Sequence, residues 1–132
     1  MEWVKINGKS YDVLVTELTE SFNVLYSENT GRTLSERARM ILDPIGTFYG
    51  HKVTFQRKTG KEDDYDELFS FLSQPRYDGV PVEIVHNQSV INYEAYVSQG
   101  ERSLKKIDTK SNKVYWDKMT INIIPMEAYI TP

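Results

Sequence analysis

The sequence predicts a β-rich α+β fold, an antiparallel β-sandwich or partly closed barrel with one central amphipathic helix. Three observations predict it. Apolar and polar residues alternate with a period of two over most of the chain, the signature of half-buried strands. One central segment changes to the i, i+3, i+4, i+7 spacing of a helix face. Tyrosine (9) outnumbers phenylalanine (5), which suits pleated strands with one face partly wet.

In chain order, the first signal is "WVKINGKSYDVLV". Two alternating runs flank Asn7-Gly8, the pair that supplies the positive φ angles of a two-residue hairpin turn, so a β-hairpin is expected there. "SFNVLYS" continues as a strand with Phe22, Val24 and Tyr26 on one face. "HKVTFQR" puts Val53 and Phe55 opposite Lys52, Thr54 and Gln56. Between them, residues 33–42 fit two templates. Thr33 and Glu36 have capping-box spacing with Leu34, Ala38 and Ile41 at helical intervals, yet Ala38, Met40 and Leu42 also alternate as a strand. Pro44 and Gly46 would cut a helix short and favour extended structure.

"TGKEDDYDELFSFLSQP" carries the helix. Thr59 and Glu62 have capping-box spacing, Tyr65, Leu68, Phe69 and Leu72 form the apolar stripe, and Pro75 marks the end. Glu62, Asp63, Asp64 and Asp66 suit the positive end of its dipole. Strands then return. "GVPVEIVH" aligns Val80, Val82 and Ile84, and "SVINYEAYV" aligns Ile91, Tyr93, Ala95 and Val97. "QGERSLKKIDTKSNK" reads as a long polar connection, and "VYWDKMTINIIPM" closes with Met119, Ile121 and Ile123 on one face.

At 132 residues the chain is the size of one domain, 1–132, able to bury a core without staples. A net charge of −3 gives no general attraction to phosphate, so nucleic-acid binding would need a local basic patch. The absence of cysteine excludes disulfides, thiolate metal sites and thiol nucleophiles. No apolar run follows Glu2 and Lys5, and none elsewhere is long enough to span a bilayer, so neither export nor membrane insertion is expected.

Catalytic chemistry has no visible carrier. His51 and His86 lie in separate strand-edge contexts without metal-ligand spacing and read as surface or satisfied core residues. Nucleophile-elbow and phosphate-loop patterns are absent, and the acidic run "EDDYDE" lacks the alternate ligands, glycine and distal glutamate of a calcium loop. The basic residues Arg102, Lys105, Lys106, Lys110 and Lys113 crowd one segment, but no aromatic is interleaved and Glu101 and Asp108 dilute it. A flexible solvated loop is the expectation there. The chain is therefore expected to be no enzyme, with no metal, cofactor or small-molecule substrate.

"KINGKSYDV", then "NTGRTLSERARMILDPIGTFYGHKVTF", the central helix, and the late "YEAYVSQGERSLKKI" and "VYWDKMTINII" together resemble small tail-associated proteins of long-tailed phages and prophages of Gram-positive bacteria. The resemblance covers nearly the whole chain. It implies a tail-tube-like fold, two packed antiparallel sheets with one helix, shared by tube, distal-tail and baseplate-proximal ring subunits. It also implies a place in the virion tail after synthesis in the host cytoplasm, with other tail subunits or further copies as partners and neither nucleic acid nor membrane required. In such a fold a long hairpin reaches a neighbour in a ring, and Glu28 to Asp43 is the candidate. Arg32, Arg37 and Arg39 are then the subunit-interface residues, expected to be mobile or protruding alone and to pair with a neighbour's carboxylates. The alternative is a small β-barrel binding module for nucleic acid or saccharide, with Tyr93, Tyr96, Tyr115 and Trp116 as stacking platforms.

Overall fold

Asn7 and Gly8 both adopt positive φ, 54° and 75°, and close the expected tight turn with paired bonds between Ile6 and Lys9. The hairpin stops there. In the computed structural model, which describes residues 3–132, strand β1 (Val4–Ile6) pairs with β6 (Val80–His86), while β2 (Val13–Tyr26) pairs with β5 (Pro44–Arg57). The turn thus sends consecutive runs into different parts of the sheet, a correction to the N-terminal hairpin.

The remaining strands are β3 (Gly31–Arg32), β4 (Met40–Ile41), β7 (Ser89–Tyr96), β8 (Gly100–Asp108) and β9 (Lys113–Pro125), and the helix is α1 (Glu62–Leu72). All pairings are antiparallel. The principal sheet runs β1-β6-β7-β9-β5-β2, with β8 also against β9, and β3 and β4 form a separate two-residue ladder. Strand β9 is the link: its centre lies between β5 and β8, and its end takes up β7 at Ala95↔Pro125 and Tyr96↔Ile124. The sheet folds at that junction into two facing layers, β1-β6-β7 and β2-β5-β9-β8. Its end strands β1 and β2 do not pair, so this is a sandwich-like α+β fold and no closed barrel.

The core lies between the layers and under the helix. Ile6, Val82, Ile84, Ile91 and Ala95 come from one layer, Val53, Phe55, Met119, Ile121 and Ile123 from the other, and Tyr65, Leu68 and Leu72 from α1. The alternation read in β5, β6, β7 and β9 therefore selects the buried positions. Phe69, on the same helical stripe, is only half-buried. The Thr59 capping box does not form, since Lys61 occupies the N-cap without a side-chain bond. Residues 33–42 do not form a helix either. They make turns and the short β4, with Ala38 at φ 48°.

The basic segment after Val97 is also corrected. It is a strand, β8, pairing with β9 from Gly100↔Ile121 to Asp108↔Lys113, with register shifts between Arg102 and Leu104 and between Leu104 and Lys106. Bulges and lysines together are the usual protection of an exposed edge.

Candidate functional site: the β2–β5 arm and the cluster at its base

Strands β2 and β5 are each 14 residues long and stay in register from Glu17↔Thr54 to Leu25↔Gly46, well past the buried Val53 and His51. The distal half forms an arm. Its side chains are apolar without being covered: Phe22 is 71% exposed, and Leu25, Tyr26, Leu42 and Ile45 are exposed as well. On the outer face, Leu25, Phe48, Tyr96, Ile124 and Pro125 line a shallow hollow. The C-terminal segment braces the other edge of β5 through bonds between Thr47 and both Tyr129 and Ile130.

The tip, residues 27–43, is bonded within itself. Asp43 accepts from Ser27 Oγ and Asn29, its N–H donates to Thr30 Oγ1, and the Thr33 N–H donates to the Arg39 carbonyl. Arg32 Nη1 donates to the Ala38 carbonyl at 3.2 Å. The Arg37 and Arg39 side chains are exposed and have no partner among the described residues. The three arginines thus share an exposed tip on a hairpin whose hydrogen bonds, among the described residues, stay within it.

At the base of the arm the structure brings together residues that the sequence reading kept apart. His51 on β5 is buried, with Nε2 2.8 Å from Glu20 Oε2 on β2 and 3.2 Å from the Val85 carbonyl on β6. Its Nδ1 lies 2.8 Å from the Tyr93 hydroxyl on β7. His86, at the end of β6, places Nδ1 2.8 Å from the same Glu20 oxygen. Nε2 of His51 faces two acceptors, the Glu20 carboxylate and the Val85 carbonyl, so it is the nitrogen that donates to them. Burial opposes charge on Glu20, but the bonds from His86 and His51 outweigh it and hold its carboxyl below the usual range. Burial pushes the Tyr93 hydroxyl well up, and the Glu20 charge adds to that. The expectation of separate histidine contexts is corrected: 31 residues separate Glu20 from His51 and 66 separate it from His86. No spacing rule reaches that far.

Within the cluster His51 is buried, while Glu20 and His86 keep 29% and 19% side-chain exposure. The hollow lined by Trp3, Tyr11, Asp12 and Phe55 and the one lined by Glu62, Asp66 and Tyr115, each of about 490 Å³, hold none of the cluster's side chains, Tyr93 borders a smaller one beside Lys5 and Glu83, and no group of three metal-binding side chains among the described residues is placed to hold an ion. The proposed stacking aromatics also fail to share a surface. Tyr93 points inward to His51, Tyr96 lies on the outer face, Tyr115 sits under Arg57 and Lys106, and Trp116 under Arg102. No helix among the described residues is long and apolar enough to cross a membrane. No protein-family model matches the chain, and no curated protein matches it.

Proposed function

We propose that the chain is a structural subunit of a phage or prophage tail, part of a tube, distal-tail or baseplate-proximal ring, and that it works by assembling with copies of itself or with other tail proteins rather than by catalysis. The observation that carries this reading is the β2–β5 arm: a long, in-register hairpin that extends exposed apolar side chains past the core and ends in arginines. Large apolar side chains left exposed together on one element mark contact with another protein. Edge strand β2 carries neither lysine nor proline, and between its register shifts at Val15/Glu17 and Leu25/Tyr26 it runs without interruption along the arm. Arg37 and Arg39, without partners among the described residues, and Arg32, held only by the Ala38 carbonyl, suit charge-assisted bonds to a neighbour and would contribute register and partner choice. A protruding element on one subunit and a different receiving surface on the next give the head-to-tail contact that closes rings.

Reversing the charge at Arg32, Arg37 and Arg39 together, each to Glu, tests it. The melting temperature is expected to stay nearly unchanged, because exposed charges contribute little to the fold, while association measured by light scattering coupled to gel filtration, or by co-purification with neighbouring tail proteins, weakens. Phe22→Ser should act in the same direction. Variants that assemble as well as the parent would remove the arm from any interface.

A further inference from the structure

Between the end of α1 and the strands β6 and β7, a hollow of about 260 Å³ opens toward the core. Ile6, Leu72, Val82, Ala95 and Ile123 line it, each no more than 5% exposed. Ala95 leaves the space, because it is the smallest residue in the inward row Ile91, Tyr93 and Ala95 of β7. A hollow of this size falls below the range of about 300–1,000 Å³ that encloses a small ligand and suits one inserted side chain. Apolar pockets of that kind hold the anchors that dominate protein interfaces.

The mouth of the hollow is formed by Gln74, Pro75, Arg76 and Asp78, all exposed. The Asp78 carboxylate has no partner among the described residues. Glu94 stands beside it, with Oε1 accepting the Gly79 N–H. Arg76 is already engaged: it donates to the carbonyls of Phe71 and Gln74 and lies over the Phe71 ring. The mouth therefore sets two carboxylates against one occupied cation.

The apex of the arm is its complement. The β3–β4 ladder and the bond from the Thr33 N–H to the Arg39 carbonyl close a loop over residues 33–39. Leu34 is fully exposed there, and Met40 and Ile41 are exposed behind it. Around it stand Arg37 and Arg39, both without a partner among the described residues, and Glu36. An apolar side chain with two free cations against one carboxylate matches an apolar hollow with the opposite balance.

These two features are kept apart within one copy. Ile123 in the hollow is paired with His51, and His51 with Glu20, so the hollow lies level with the base of the arm. Ser21–Tyr26 carry the tip about 20 Å beyond that level at about 3.3 Å per strand residue, and the β2–β5 ladder holds it there.

We propose that this hollow receives the arm of a second copy of the chain, with Leu34 inserted between Leu72 and Ala95 and the Arg37–Arg39 pair facing Asp78. The assignment rests on the arm reading above and names the surface that the arm meets.

The test uses the full chain. It contains no cysteine, so single cysteines placed in separate proteins report only on each other. Leu34→Cys and Asp78→Cys, both at exposed positions, are mixed, one of them carrying a size tag, and oxidised mildly. The mixed disulfide is expected to exceed both homodimers and the product of Lys105→Cys with Asp78→Cys. Leu34→Asp should weaken self-association in sedimentation about tenfold or more, the loss of one buried anchor. Val97→Trp, which fills the hollow from its wall, should act alike, and the two together should cost no more than either alone, since both remove the same contact. Association that survives Leu34→Asp, or a mixed disulfide no more abundant than with the Lys105 control, overturns the hollow as the receiving site. The arm reading then stands if Arg32, Arg37 and Arg39 changed to Glu still weaken association, and fails with it if they do not. A parent that stays monomeric at its highest soluble concentration overturns the second copy as occupant. So does a small molecule that native mass spectrometry finds on the parent and not on Val97→Trp.

Discussion

Arg102 on β8 lies over the ring of Phe69 on α1, its guanidinium carbon 4.0 Å from the ring centre. The same group is 4.1 Å from the Trp116 ring on β9, and Nη1 donates to Asp66 at 3.0 Å. One planar cation thus joins the helix to the β8–β9 hairpin, and Phe69 is half-buried because its outer face meets a guanidinium instead of a strand. Arg102→Lys should cost about 1–2 kcal/mol in urea denaturation, because a compact ammonium cannot stack on two rings while keeping the carboxylate bond. A loss no larger than for Lys105→Ala, an exposed neighbour, would show the stack to be incidental.

The helix docks through Leu68, which is fully buried, so Leu68→Ala should lose about 2–5 kcal/mol as a large-to-small core change. Asp63 is exposed and should tolerate alanine. Asp64 is intermediate, because its carboxylate accepts the Asp12 N–H at 3.0 Å, and alanine there should cost about 1 kcal/mol. Thermal melts of the three variants should rank in that order.

Glu20 links stability to acid. Its folded pKa lies below its ordinary value of 4.5, so its contribution is complete above that value and is lost as pH falls through the lower, folded one. The melting temperature of the parent should therefore drop more steeply than that of Glu20→Gln as pH is lowered from 5 to 3. Parallel curves would mean that the carboxylate's two donors do not favour its ionised form.

Gly46 is buried where the C-terminal segment crosses β5, and a Cβ there would meet the Ala128 Cβ at 2.6 Å and the Ile130 carbonyl oxygen at 2.8 Å. Gly46→Ala should push residues 126–130 off the arm, at about 1–3 kcal/mol. Faster exchange of the Thr47 amide, which now donates to the Ile130 carbonyl at 2.8 Å, would report it.

What the sequence alone determined is what short-range periodicity can carry. Alternation in "KVTF", "PVEIV" and "MTINI" selects Val53, Phe55, Val82, Ile84, Met119, Ile121 and Ile123 for the core, and the helical spacing of Tyr65, Leu68 and Leu72 selects the docked face. Asn7-Gly8 specifies its turn because positive φ is a property of those two residues. The partners of each strand were decided by the tertiary structure. Pairing depends on which distant edge offers free backbone groups and a matching apolar face, so β1 joins β6 and β2 joins β5 across the tight turn. Strand β8 was illegible because it lacks period-two apolar alternation, its Leu104 and Ile107 lying three apart: an inward residue is Arg102, whose stem and guanidinium serve the rings that apolar side chains would otherwise cover. The Glu20 cluster was illegible for the same reason of distance, since a carboxylate on β2 meets its two histidines only once β5 is paired beside it and β6 is folded over it.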